Sequence, residues 1–167
     1  MSRYNTIIEN DIVNGEKVCV SFFVQGCPHK CPGCFNPETW DFLGGHEYTP
    51  DIKWKLIELI GANGLQRNFS VLGGEPMAQE NLEMVDEVVS AVRAAYPHIA
   101  IYLWTGYTFH ELRSLNNKNI NSILNKIDYL IDGPFMEEYK DLNLKLRGSK
   151  NQQIWENTED GWRIWNR

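Results

Sequence analysis

The hydrophobic positions of this chain fall into short apolar runs separated by stripes with helical spacing. The apolar runs predict four strands, at residues 18–24, 69–72, 99–104 and 127–131. The stripes predict a helix after Thr49-Pro50, a helix over 82–96, and a third that opens at the capping-box pattern Thr108-Phe-His-Glu111, with Leu112 and Leu115 facing inward. The order β-α-β-α-β-α-β predicts a parallel sheet with right-handed crossovers.

Turn patterns near both ends of the chain predict two hairpins. Asn14-Gly15 predicts that residues 6–12 pair back on the first strand as an edge strand. Asp160-Gly161 predicts a C-terminal flap of two strands, and the alternative is that its tryptophans, at 155, 162 and 165, dock a partner. Because four β/α units cannot close an eightfold barrel, the expected fold is α/β: an incomplete TIM-like barrel, open on one side, in a single domain over residues 1–167.

A polar, glycine-rich segment follows each of the four predicted strands. Parallel strands end at one edge of a sheet, so these segments should converge there, where α/β proteins place their sites. The segments are residues 26–34, 73–76, 105–107 and 132–134. We therefore expect the functional site at this edge.

The composition is that of an ordinary globular protein, with 43% hydrophobic and 23% charged residues. With 22 acidic and 16 basic side chains the formal charge is −6, which argues against nucleic acid held by phosphate contacts. No apolar run approaches the ~18 residues that span a bilayer, and the N-terminus lacks a signal-peptide stretch. We expect a cytoplasmic protein with no nucleic-acid or membrane partner, whose cysteines are ligands or reactive thiols rather than disulfides.

Three of the four cysteines form the pattern C-x3-C-x2-C: Cys27, Cys31 and Cys34. Thiolates at this spacing on a tight loop can hold one face of an iron–sulfur cube and leave one iron open. The alternative is a structural zinc site completed by His29, His46 or Cys19, although such sites more often use two separated ligand pairs. Otherwise Cys19 is expected to pack as a small apolar residue, and His29 is expected to face solvent.

Several longer strings accompany the cysteine loop. The loop, followed after the next strand by Gly73-Gly-Glu-Pro76, resembles the radical S-adenosylmethionine enzymes. The remaining strings resemble the activating proteins of anaerobic class III ribonucleotide reductase, and the resemblance runs over about residues 4–155. These strings are Asp11-Ile-Val-Asn-Gly15, Gly26-Cys-Pro-His-Lys-Cys31, Gly33-Cys-Phe-Asn-Pro-Glu-Thr-Trp40, Leu103-Trp-Thr-Gly-Tyr107, Ile131-Asp-Gly-Pro-Phe135 and Arg147-Gly-Ser-Lys-Asn-Gln152.

The resemblance implies an activity in which the cofactors carry the chemistry. It implies one 4Fe-4S cluster whose open iron binds S-adenosylmethionine, reductive cleavage to a 5′-deoxyadenosyl radical, and hydrogen abstraction from a backbone glycine of the reductase's glycyl-radical subunit. It also implies an electron donor such as flavodoxin, and no catalytic residue beyond the cluster and S-adenosylmethionine. Two alternatives are an activase of another glycyl-radical enzyme, of the formate-lyase type, and a non-catalytic, zinc-stabilised binding module.

The resemblance also implies roles for individual residues. The three loop cysteines would hold the cluster. Gly73 and Gly74 would let backbone carbonyls approach the methionyl ammonium group, and Glu75 would add charge-assisted pairing. Thr105 and Asp132 would meet the methionyl carboxylate or the ribose hydroxyls.

Gly33, Cys34 and Phe35 match the segment that lines the adenine in the family, where Phe35 either stacks on the adenine or belongs to the core. Two positions depart from the family pattern. Glu16-Lys17 stands where Pro-Gly usually follows Asn-Gly, which alters the turn before the leading strand. Gln153 stands where arginine usually follows Asn-Gln, which puts in question the ionic contact that this arginine makes.

Overall fold

The computed structural model of the protein describes residues 2–165, which contain one sheet and four α-helices. The strands are β1 (Arg3–Asp11), β2 (Cys19–Val24), β3 (His46–Glu47), β4 (Asn68–Gly73), β5 (Ile101–Trp104), β6 (Tyr129–Asp132), β7 (Gln153–Thr158) and β8 (Gly161–Ile164). The helices are α1 (Pro50–Ile60), α2 (Leu82–Ala95), α3 (Phe109–Ser114) and α4 (Lys118–Lys126). No helix in this part of the chain is long and apolar enough to cross a membrane.

The strands form an open sheet in the order β3-β1-β2-β4-β5-β6-β7-β8. The four central strands, β2, β4, β5 and β6, are parallel, as the alternation of strands and helices predicts. The outer strands are antiparallel to their inner neighbours, β1 to β2 and β7 to β6. The α/β class and the open sheet are therefore confirmed.

Both edges of the sheet differ in detail from the prediction. β1 pairs with β2 as expected, but it is not the edge strand, because the two-residue β3 pairs outside it at Tyr4 and His46. A strand this short has no apolar pattern by which the sequence could reveal it. At the other edge, the predicted flap is a hairpin that extends the sheet, since β7 pairs with β6 at Ile154 and Ile131.

Two tryptophans of the C-terminal hairpin, Trp155 and Trp162, are partly buried and pack against the core. The rings of Trp155 and Trp162 lie 4.5 and 5.5 Å from the Phe109 ring, centroid to centroid. Trp165 is buried. The predicted two-stranded hairpin is therefore confirmed, and docking of a partner by these tryptophans stays a prediction, since Trp155 and Trp162 remain partly exposed.

The capping box at Thr108 and Glu111 forms as predicted, with each side chain accepting from the other's backbone N–H at 3.1 Å. The expectation for Leu115 is wrong: it is 59% exposed, because α3 ends at Ser114 and the backbone turns at Asn116 with a positive φ. The separate helix α4 was not predicted, since its asparagine-rich start is typical of a loop. Its buried stripe at Ile120, Ile123, Leu124 and Ile127 is the signal that could have found it.

Side chains on successive strand positions point to opposite faces of the sheet. On one face, the helices and strands bury an apolar core that includes Val20, Phe22, Val71 and Leu103. We call this the helix face. The alternate positions form the other face, which we call the cavity face, and they are Cys19, Ser21, Phe23, Ser70, Leu72, Tyr102 and Trp104. The buried Cys19 packs as predicted.

Candidate functional site

A cavity of about 140 Å³ lies at the carboxyl ends of the parallel strands. Segments that follow β2, β4, β5 and β6 line it, so these segments converge at one edge of the sheet, as the sequence predicts. The predicted site residues that meet there are Cys27, Cys31, Cys34, Phe35, Gly73, Gly74, Glu75 and Thr105. Gly33 and Asp132 are not among the residues that line it.

Residues 26–36, which we call the cysteine loop, follow β2 and return past the end of the sheet. The backbone N–H of Cys27 donates to the carbonyl of Trp40 at 3.1 Å. Lys30 and Gly33 adopt left-handed conformations, with φ of 48° and 75°. These two reversals wind the loop tightly, which is how thiols so close in sequence come to line one cavity.

All three loop thiols are partly buried. Burial raises the pKa of Cys27 to about 11 and also raises the pKa of Cys31. Without a metal the thiols of Cys27 and Cys31 are protonated at neutral pH, so metal binding must release protons. The expected ligands are therefore ordinary thiols that a strong Lewis acid would convert to thiolates.

The donor set fits a 4Fe-4S cluster with one open coordination position. Three thiols on one loop line the cavity, and the fourth cysteine, Cys19, is buried at the opposite end of β2. Within residues 2–165, no group of three or more His, Cys, Asp and Glu side chains is arranged to hold a single metal ion. The other ligands considered for zinc are engaged elsewhere, His29 with Glu75 and His46 against the Tyr4 ring.

The Glu75 side chain is heavily hydrogen-bonded. Its carboxylate, in a residue only 1% exposed, accepts four hydrogen bonds. The backbone N–H of Met77 and the hydroxyl of Thr105 donate to Oε2, both at 2.8 Å. The backbone N–H of Gly106 and Nε2 of His29 are each 2.7 Å from Oε1. Glu75 therefore joins the segments that follow β2, β4 and β5, and its pairing with an ammonium group stays a prediction.

His29 does not face solvent as expected. Only 19% of its side chain is exposed, and its ring packs edge-on against Tyr107 at 4.6 Å. The hydrogen bond with Glu75 raises the pKa of His29 above its ordinary value. A Cβ on Gly106 would come within 2.5 Å of the imidazole, so glycine is needed there for the ring to fit. The pattern Cys-Pro-His-Lys-Cys placed this histidine beside the ligands, but nothing in it indicated the carboxylate.

Gly73 and Gly74 allow two loops to approach closely. Gly73 has a φ of +106°, and a Cβ there would lie 2.9 Å from the Cα of Phe23. A Cβ on Gly74 would collide with the backbone of Gly26 at the start of the cysteine loop. The glycines therefore bring the β4 loop against the cysteine loop, in addition to the ligand contacts predicted for them.

Two predicted ligand residues have a clear placement. Phe35 is 55% exposed and touches Phe135 with a centroid distance of 4.9 Å, so the core alternative is wrong and stacking on adenine stays a prediction. The carboxylate of Asp132 accepts from the backbone N–H groups of Phe109 at 2.7 Å and Gln153 at 3.2 Å. Burial raises the pKa of Asp132. This carboxylate ties α3 and β7 to the end of β6.

Comparisons with known proteins agree with this geometry. Residues 13–155 match the family described as a 4Fe-4S single cluster domain. A relative from Vibrio cholerae is 40% identical over 91% of this chain and 96% of its own length. Relatives from Enterobacteria phage T4 and Escherichia coli are 35% and 34% identical, over 96% and 91% of this chain and 98% and 97% of their own lengths. All three are named anaerobic ribonucleoside-triphosphate reductase-activating protein.

The chain belongs to this activating-protein family. The two departures from the family pattern can now be placed. Lys17 has a φ of 61°, so a side chain stands in a left-handed turn where the pattern has glycine. Gln153 is exposed at the start of β7, so the missing arginine leaves no buried charge unpaired.

This member of the activating-protein family has a second cavity, of about 470 Å³, beside the first. The two share lining residues, among them Leu72, Trp104, Phe135 and Gln152. The second cavity extends to the segment 141–148, which Trp104 holds by donating from Nε1 to the carbonyl of Leu146 at 2.7 Å. Sequence reasoning noted the strings that contain Trp104 and Gln152 but assigned them no contact.

The string that ends in Gln152 closes this side of the cavities. Oε1 of Gln152 accepts from the backbone N–H groups of Gly148 at 3.0 Å and Ser149 at 3.1 Å. Its Nε2 donates to the carbonyl of Gly133 at 3.0 Å. A Cβ on Gly148 would lie 2.6 Å from the Phe35 ring. The segment that ends in Gln152 therefore packs closely against the rings of Phe35 and Phe135 at the cavity.

Proposed function

We propose that this protein activates an anaerobic ribonucleoside-triphosphate reductase by generating a glycyl radical on it. The observation that carries the proposal is that the three loop cysteines and the Gly-Gly-Glu turn line one cavity in a chain of this family. When bound, the cluster would supply the electron for reductive cleavage of S-adenosylmethionine, and this chemistry would provide the radical that takes a hydrogen atom from a backbone glycine of the reductase.

The residues of the chain bind and orient the cofactors. Cys27, Cys31 and Cys34 would hold the cluster as deprotonated thiolates, and one iron would remain open for the methionyl group. The backbone beside Gly73 and Gly74 accepts from the ammonium group. Phe35 offers an exposed ring for the adenine. Thr105, which lines the cavity, is closer to a role toward the carboxylate or ribose than Asp132, which does not.

The substrate is a protein segment rather than a free small molecule. We infer that the open sheet is the incomplete TIM-like barrel expected from the sequence, and that its open side admits the glycine-bearing loop of the reductase. The second cavity adjoins the first and supports such a route. A flavodoxin or a similar reductant donates the electron.

Electron paramagnetic resonance of the anaerobically reconstituted, dithionite-reduced protein tests the proposal. We expect a reduced 4Fe-4S signal whose shape changes when S-adenosylmethionine is added, because the open iron gains a ligand. Adding the reductase should then produce a glycyl radical signal. A protein that contains one zinc per chain and gives no iron signal would contradict the proposal.

A further inference from the structure

All the acceptor positions of the Glu75 carboxylate are used inside the protein. A carboxylate has about four lone-pair positions. Four donors from three segments fill them at 2.7–2.8 Å: Met77 N–H, Thr105 hydroxyl, Gly106 N–H and His29 Nε2. A buried carboxylate saturated in this way is a strong structural anchor, since each bond to a charged acceptor is charge-assisted.

Of these four donors, only His29 belongs to the cysteine loop. It lies between Cys27 and Cys31, two of the three predicted cluster ligands. The other contacts of its ring are with the segment after β5, where it packs on Tyr107 and lies over Gly106. The His29–Glu75 bond therefore connects the loop that carries the ligands to the rigid ends of the parallel strands.

We propose that His29 is a positioning residue that acts through Glu75 to hold the cysteine loop in the geometry that the cluster needs. The inference rests on the proposed function for the identity of the bound group. In this arrangement Glu75 fixes the position of the cysteine loop, and it affects the binding of S-adenosylmethionine mainly through the position of that loop. The proposed role of His29 requires no contact with the irons or with the substrate.

The two residues should then behave as a unit. Replacing His29 with alanine removes the donor, and Glu75→Gln replaces one acceptor oxygen with an NH2 group that faces protein donors. Either change breaks the same connection, so the double variant should be no worse than the more damaging single variant. His29→Gln retains an amide N–H at similar reach and should restore most of the connection.

The first measurement is the rate of iron loss from the reconstituted protein to a chelator. We expect His29→Ala and Glu75→Gln each to speed iron loss about tenfold, the size expected for one bond to a charged group, and His29→Gln to be close to the unmodified protein. His98→Ala, at an exposed histidine, is the matched control. Alkylation of buried Cys19 should stay slow in every variant, which shows that the effect is local rather than global unfolding.

The second measurement is the change that S-adenosylmethionine causes in the reduced cluster signal. If Glu75 acted directly on the ligand, Glu75→Gln would abolish this change while His29→Ala left both it and iron loss as in the unmodified protein, and the proposal would be overturned. Effects on iron loss that multiply in the double variant would also overturn it, as would a failure of His29→Gln to restore iron retention. An unmodified protein that holds iron but does not respond to S-adenosylmethionine would refute the proposed function alone, because iron loss would still report on the connection.

Discussion

The two faces of the central sheet use the same strands for different purposes. On the helix face, Val20, Phe22, Val71 and Leu103 are at most 1% exposed and belong to the apolar core. On the cavity face, the neighbouring positions bear hydroxyl, aromatic and thiol groups. The carboxyl ends of the strands open into the two cavities. Successive side chains of a strand point to opposite faces of the sheet. A substitution on one face can therefore change the stability of the fold while a substitution at the next residue changes the binding site.

The cavity face itself is divided along the strands. At the amino ends, the turn after β1 covers it: Ser21 donates to the Asp11 carboxylate at 2.7 Å, and Ser70 donates to the carbonyl of Asn14. Gly15 fits there because a Cβ would lie 2.6 Å from Sγ of Cys19. At the carboxyl ends, glycines and the cysteine loop leave space. Buried polar groups are thus satisfied at one end, while the other end is kept for ligands.

The largest contrast is expected between Cys31 of the cysteine loop, at the carboxyl ends of the strands, and Cys19 at the amino end of the cavity face. Cys31→Ser should abolish cluster binding and activation, because a hydroxyl is a poor iron ligand, with little change in the unfolding of the metal-free chain. Cys19→Ala should retain the cluster and lower the free energy of unfolding by about 1 kcal/mol, since it removes one buried sulfur atom. Iron content and thermal unfolding measure both effects. Loss of iron in Cys19→Ala would show that the two ends of the face are not separate.

A matched pair on β5 compares the two faces directly. Leu103→Ala, on the helix face, should cost about 2–5 kcal/mol in unfolding free energy and leave the reduced cluster signal unchanged. Trp104→Phe, on the cavity face, removes the bond to the Leu146 carbonyl and should cost only about 1 kcal/mol. It should nevertheless weaken the response to S-adenosylmethionine. If Leu103→Ala changed the cluster signal and Trp104→Phe caused the larger loss of stability, the assignment of stability to the helix face and ligand binding to the cavity face would be refuted.

Two glycines provide a comparison of similar design. A Cβ at Gly148 would press on the Phe35 ring at 2.6 Å, and a Cβ at Gly61 would press on the Tyr96 hydroxyl at 2.5 Å. Gly148→Ala should weaken S-adenosylmethionine binding several-fold with little loss of stability, because the exposed ring can move. Gly61→Ala should cost about 1 kcal/mol, since Tyr96 donates to the carbonyl of Ile57, and should not alter binding. Ligand titration and thermal unfolding distinguish the two; equal binding losses would contradict the comparison.

The smallest effect is expected at Lys17, in the turn that covers the amino end of the cavity face. Its left-handed backbone costs more for lysine than for glycine, and the greater flexibility of glycine in the unfolded chain offsets part of the difference. Lys17→Gly should therefore raise the free energy of unfolding by about 0.5–1 kcal/mol without changing iron content. A destabilised Lys17→Gly variant would show that the lysine side chain makes a contribution larger than this strain.

The sequence predicted the elements of the helix face better than the contacts of the cavity face. The helix face was largely predictable, since β-branched runs and the stripe of α2 report burial through simple periodicity, and the Thr108–Glu111 capping box is a local pattern. Leu115 and α4 were missed where asparagines at 116–121 end one helix and begin another within a few residues. On the cavity face the motifs were found, but the roles of His29 and Gln152 were not.

The sequence by itself determined the alternation of strands and helices, the parallel core, the cysteine spacing and the family, because each depends on local patterns or on strings of adjacent residues. Only the tertiary structure decided that His29 meets Glu75, 46 residues away, and that Gln152 reaches Gly133, 19 residues away. Such pairings depend on where the strand ends meet in space. The hydrogen bonds that satisfy a buried carboxylate or amide are fixed by that meeting, and no periodicity in the chain encodes them.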